Sequence, residues 1–251
     1  MYVDDIDTRD GRRAGTTRQP GFAGGVVLLA VCALGYAVTV ASLQLHIYIH
    51  VMAGILWTGI DVFLGAVLGP VVGGLDEEQS AAVFERLTPK TAFLLPSMAL
   101  VTIASGIVLA QRLSLFPNAE PWLAAFTAVT LVPVLLCLGW RFEAFDDRRW
   151  QVPFAVVAVG ALAWVATTIG SLQPTTPAAL LALAIVTVLS VQGFGFLLPG
   201  EVRMYQEMTS PDPDPGVIAA IGRQNAKLGG VQGGFQLALI LVMVSLRFGG
   251  F

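Results

Sequence analysis

Charge is what this chain has least of. Only 12% of its 251 residues are Asp, Glu, Lys or Arg, against 55% hydrophobic, whereas a soluble domain carries about a quarter charged residues. With a mean hydropathy of +0.75, that shortage excludes an ordinary soluble domain and a disordered chain. Cysteine is scarce too. Cys32 and Cys137 both lie in apolar runs, which excludes a disulfide scaffold and reads as two small hydrophobes. A net charge of −3 offers no basic surface for nucleic acid. The chain has no Cys-x-x-Cys, no His-Glu-x-x-His, no nucleotide-binding loop and no Ser/His/Asp set, so no common catalytic pattern marks it as an enzyme. What remains is an integral membrane protein.

Apolar runs set the number of spans. From Gln19 to Ile60 there is no Asp, Glu, Lys or Arg. The apolar stretch on to Val72 makes this more than one crossing at about 20 residues each. Seven spans are expected, at about 22–41, 45–72, 91–111, 121–141, 152–172, 177–198 and 217–247. Thr88-Pro89 predicts the start of the third, with Thr as N-cap and Pro at N1. Pro121 and Pro177 open the fourth and sixth, and Pro199-Gly200 is expected to stop the sixth. Val83, Phe84 and Leu87 at helical spacing predict a separate interfacial helix over 76–87. Pro96 and Pro133, inside spans, predict kinks.

The fold class is therefore all-α, a polytopic bundle of seven transmembrane helices over residues 21–251 behind a polar tail over residues 1–20. The tail does not have the pattern of a signal peptide. With seven spans, twelve Lys and Arg residues fall on one side and only Arg112 and Arg247 on the other. The positive-inside rule then makes the N-terminus cytoplasmic and the C-terminus external, in a cell membrane with lipid as the main partner. Arginine outnumbers lysine twelve to two, which fits a GC-rich or halophilic prokaryote.

The densest chemistry is on helix two, His46-Ile-Tyr-Ile-His50-Val-Met-Ala-Gly-Ile-Leu-Trp57-Thr-Gly-Ile-Asp61. At about 100° per residue, His46, His50, Ala53, Trp57, Asp61 and Leu64 form one stripe. His46 and His50 are the only histidines in the chain, and Asp61 is the one acid deep in a span. A charge at mid-membrane costs about 2.5–3.5 kcal/mol on insertion scales, so Asp61 is expected to face the bundle interior. The stripe is either a metal, haem or proton site or a structural polar seam, and the residues alone leave both open. Gln236 lies at a depth similar to that of Asp61, with Gln192 and Gln232 nearer the cytoplasm. Lys90, Arg223 and Lys227 lie at the inner rim, and Lys227 could reach inward to an ionised Asp61. Together these residues are expected to form either a polar cluster opening inward or a set of ordinary interhelical hydrogen bonds. Gly65, Gly69 and Gly73, and the pairs Gly229/Gly233 and Gly230/Gly234, have the four-residue spacing of close helix packing.

The segment His46 to Pro70, HIYIHVMAGILWTGIDVFLGAVLGP, resembles a broad group of prokaryotic membrane families that includes copper-resistance protein D-like proteins. In these, a His-bearing helix runs through a Trp-x-Gly step to an apolar run ending near Gly-Pro. The likeness covers about one-tenth of the chain. The remainder, notably LLPGEVRMYQEM and GRQNAKLGG, looks like an uncharacterised seven-helix prokaryotic family. The resemblance implies copper or haem, with His46 and His50 as the residues that would inherit it. No other helix carries a histidine, so a haem held by histidines of two helices is excluded. A retinal protein is also excluded, because Lys227 lies at the rim and not in the middle of helix seven. Three functions stay open: a haem- or copper-associated membrane protein, a proton- or cation-coupled transporter using Asp61 and the inner glutamines, and an accessory or assembly subunit bound to other membrane subunits.

Overall fold

The computed structural model describes residues 20–249. The tail expected over 1–20 falls outside them except for Pro20. Every regular element among the described residues is helical, and seven helices are long and apolar enough to cross a membrane. We label them α1 (Pro20–Thr39), α2 (Leu43–Gly73), α3 (Glu77–Arg112), α4 (Ala119–Arg141), α5 (Arg148–Ser171), α6 (Pro177–Met208) and α7 (Pro215–Phe248). α2, α3, α6 and α7 pack together as an inner group, with α1 against α3, α4 against α6, and α5 outermost against α4. On α5, Val152, Val156, Val159 and Leu162 are each more than 60% exposed. Such a face is stable only against an apolar solvent or a partner.

Local sequence explains the ends. Ser42 turns α1 into α2 and caps α2, its hydroxyl accepting from Leu45 N at 3.3 Å. Asp76 caps α3, accepting from Gln79 N at 2.7 Å, and Glu77 and Glu78 complement the positive end of the helix dipole. Thr176 caps α6 and Asp214 caps α7, each ahead of a proline at the first helical position.

Two sequence expectations are corrected here. First, the third span does not begin at Thr88-Pro89, and no separate helix precedes it. One continuous 36-residue helix carries Pro89 and Pro96 in its interior. Pro89 forfeits the bond to the carbonyl of Glu85, itself an exposed residue. Thr88 is buried and donates to Met204 Sδ at 3.6 Å. Second, the sixth span does not stop at Pro199-Gly200 but runs on to Met208. A π-turn over Gly193–Leu197 precedes the proline, with Leu198 N–H donating to Gly193 O. The wider turn re-sets the ladder where Pro199 has no N–H to give. α2 uses the same device as α6. A π-turn over Leu64–Leu68, closed by Gly69 N–H to Leu64 O, comes just before Pro70.

Both π-turns pack on α7, and glycines set the approach. A Cβ on Gly65 would overlap the backbone of Gly230, and one on Gly233 would lie 2.8 Å from Val62 Cγ2. Gly73 and Gly234, in contrast, have nothing within 4 Å of that position. The close contact therefore runs through Gly65, Gly230 and Gly233 and not through the whole set of spaced glycines.

Candidate functional site

On α2, His46, His50, Ala53, Trp57 and Asp61 are all buried, so the expected stripe is the inward face of the helix. Its two halves do different things.

The histidine half is bonded to α3. His46 Nε2 donates to Ser105 O at 3.0 Å, and His46 Nδ1 accepts from Arg112 Nη1 at 3.0 Å. Arg112 also donates to Ala41 O from both Nη1 and Nη2, each at 3.2 Å. His50 Nδ1 donates to Thr102 O at 3.0 Å and lies 3.2 Å from Ser105 Oγ. Gly106 makes room for the His50 ring, since a Cβ there would meet His50 Cε1 at 2.8 Å. A metal or haem iron needs a free imidazole lone pair. Both nitrogens of His46 are engaged, one of them by a guanidinium that would repel a cation, and only His50 Nε2 stays outside these bonds. Among the described residues no group of three or more His, Cys, Asp or Glu side chains is placed to hold a metal ion. His46 therefore has no lone pair left for copper or haem iron, and the side chains around it act as ties between helices. They form a clamp that ties α2 and the α1–α2 turn to α3. Replacing His46 with Phe is expected to leave the Arg112 guanidinium and Ser105 O short of a partner and to destabilise the protein by about 1–3 kcal/mol. Thermal unfolding in detergent reads this directly, and an unchanged midpoint would show that the clamp carries no load.

The carboxylate half is bonded to α7. Asp61 is 1% exposed and lies about 18 Å along α2 from the helix end at Gly73. Its Oδ2 accepts from Gln232 Nε2 at 3.1 Å and from Gln236 Nε2 at 2.9 Å. These glutamines are four apart on α7, so they share one face, and they are 2% and 3% exposed. Their carbonyl oxygens, Gln232 Oε1 and Gln236 Oε1, are buried without a hydrogen-bond partner. Gly229 and Gly193 give the cluster its space: a Cβ on Gly229 would sit 3.7 Å from Asp61 Oδ1, and one on Gly193 would sit 3.5 Å from Gln232 Oε1.

The other residues expected in this cluster lie elsewhere. Gln192 donates to Leu228 O at 2.8 Å and is an α6–α7 staple. Lys90 and Lys227 are exposed, so Lys227 does not reach Asp61. Arg223 reaches Ser80 Oγ at 3.5 Å, and Ser80 in turn donates to Val72 O, which ties α7 to the α2–α3 connection. Trp57 is in place, buried one turn from Asp61 on the same face of α2.

A second carboxylate was missed by sequence reasoning. Glu201, in the part of α6 beyond Pro199, accepts from Asn225 Nδ2 at 3.1 Å and from Thr91 Oγ1 at 3.4 Å. Gly200 leaves room for the Asn225 amide, since a Cβ there would collide with it. The available signal was the apolar face carried past the proline, with Pro199, Gly200 and Met204 all buried. A cavity of about 60 Å³ between α2, α3, α6 and α7 is lined by both Asp61 and Glu201.

Chemically, the Asp61 cluster can present two faces. As drawn by its bonds, two amide N–H groups stabilise a carboxylate. A half-turn of either amide presents an oxygen instead, which suits a protonated acid or a small hard cation held between carboxylate and amide oxygens. Comparison with protein-family models, curated proteins and solved structures returned no match.

Proposed function

We propose that this chain is a multi-pass protein of a prokaryotic cell membrane that moves protons or small cations, with Asp61 as the group that binds and releases them. One observation carries the reading: a fully buried mid-span carboxylate that accepts from two amides, each with its own oxygen buried and unpaired. A seam built only for helix packing gives these two acceptors no role. An ion site does, because the amides then serve both the empty and the occupied state. An ionisable group inside a span is a functional site by default.

Purified protein in vesicles loaded with a pH- or sodium-sensitive dye tests this. Wild-type protein is expected to dissipate an imposed ion gradient, and Asp61→Asn to carry flux at the level of empty vesicles. Equal flux in the two proteins would overturn the reading.

The orientation belongs to the same proposal. The end of the bundle rich in arginine is the cytoplasmic one, with the N-terminus inside and the C-terminus outside. Reporter fusions at the two ends are expected to give opposite answers, active outside only at the C-terminus. Both ends on one side would contradict the seven-span arrangement.

A further inference from the structure

Glu201 has no place in the function just proposed, although it shares a cavity with Asp61. The cavity is otherwise lined by apolar and neutral polar side chains, such as Leu95, Pro96, Ala99 and Phe194, so among the described residues Asp61 and Glu201 are its only titratable groups. The charged residues at the arginine-rich end of the neighbouring helices, Lys90 and Arg223 and Lys227, do not line it. Gln232, 2% exposed and with its Oε1 unpartnered, also faces it.

The two carboxylates can be placed relative to each other through α7. Asn225 holds Glu201 and Gln232 holds Asp61. The seven-residue step between them is two helical turns, or about 10 Å along the axis. Hydrogen-bonded oxygens repeat at about 2.7–2.8 Å, so roughly three waters bridge that gap. A water needs about 10–15 Å³ of space measured this way, and 60 Å³ therefore has room for roughly four. The cavity is too small for an organic substrate and has room for a few waters. Its walls have few polar groups to hold a hydrated metal cation, whereas a proton needs only those waters.

We propose that Glu201, held by Thr91 and Asn225, is the inner proton station of this protein and passes protons to Asp61 along the cavity. This rests on Asp61 being the ion-binding group, and it narrows the ion to H⁺. In the step, the Glu201 carboxyl gives its proton to the nearest water. Each water accepts one proton and releases one to the next, and the last delivers a proton to the Asp61 carboxylate. Glu201 is left ionised and Asp61 neutral, no bond other than O–H is exchanged, and no oxidant or co-reactant is involved. Glu201 lies seven residues from the end of α6 at Met208, which is where protons enter from the arginine-rich side.

The test compares full-length wild-type, Glu201→Gln, Glu201→Asp and Asp61→Asn proteins in vesicles, with proton flux followed in sodium-free potassium buffer. Wild-type flux is expected to persist without sodium. Glu201→Gln is expected to lose at least about tenfold in rate, Glu201→Asp to keep much of it, and formate or azide to restore flux to Glu201→Gln by carrying protons into the gap. A wild-type flux that needs sodium overturns the proton assignment while leaving Asp61 as a cation site. Normal flux in Glu201→Gln with none in Asp61→Asn overturns the station alone. A loss in Glu201→Gln that neither Glu201→Asp nor the weak acids recover marks Glu201 as structural, which also overturns it. Normal flux in Asp61→Asn overturns the underlying reading instead. If Glu201→Gln does not fold, Thr91→Val removes one donor and leaves the carboxyl. It is expected to move the pH midpoint of transport by about one unit, the worth of one hydrogen bond to a carboxylate, and an unmoved midpoint overturns the station.

Discussion

Replacing Asp61 with Leu is expected to cost about 2–6 kcal/mol of stability, while Asp61→Asn costs less than about 1 kcal/mol. The leucine removes the acceptor of two buried amides at once, and each unpaired buried donor costs about 1–3 kcal/mol. Asp61 is the one hydrogen-bond partner of either side-chain amide among the described residues. Asparagine has nearly the same shape and keeps an oxygen for the two N–H groups. It also brings an N–H₂ that can satisfy one of the orphan oxygens. For a chain of this size, 1 kcal/mol moves the thermal midpoint by about 2–4 °C, so the leucine protein is expected to melt roughly 5–20 °C lower in detergent. If the two variants melt together near wild type, Asp61 does not organise the α2–α7 seam.

The second large effect is at Gly65. The neighbour that a side chain would meet there is the Cα and N of Gly230, which are backbone atoms and cannot rotate away. Gly65→Leu must therefore separate α2 from α7. The loss is expected at or above the upper end of the roughly 1–3 kcal/mol typical of overpacking. Separation of the helices would also pull Gln232 and Gln236 away from Asp61, so ion flux should fall with stability. Gly234→Leu is the control, because that position is exposed with nothing within 4 Å. Folded yield measured by size-exclusion chromatography separates them. Equal yields would mean that the glycine contact is not what holds these helices together.

The sequence made some of this legible and hid the rest for physical reasons. The seven spans follow from composition, because apolar length is what a bilayer demands. The inward face of α2 follows from a 3.6-residue period, and so do Gln232 and Gln236, which are four apart at the depth of Asp61. The role of Gln192 does not follow, because depth gives no azimuth: it points at the backbone of α7 instead of at α2. Pro199 read as a stop because a proline cannot donate to the ladder, yet a five-residue π-turn ahead of it lets the helix continue. That local device is what hid Glu201, which lies beyond the expected end of the sixth span. The histidine pair looked like ligands because spacing shows which residues share a face and not what fills it. The filling is Ser105, Thr102 and Arg112 from a helix more than fifty residues away in the chain.

The account stands on Asp61 changing its ionic state inside the bundle. Infrared difference spectroscopy of the purified protein, between acidic and alkaline buffers and with and without sodium, reads that change at the carboxyl group itself. A carboxylic-acid C=O band that appears and disappears with pH or cation in wild-type protein, and is missing from Asp61→Asn, is the predicted result. A difference spectrum identical in the two proteins over the whole range in which the fold is stable would contradict it.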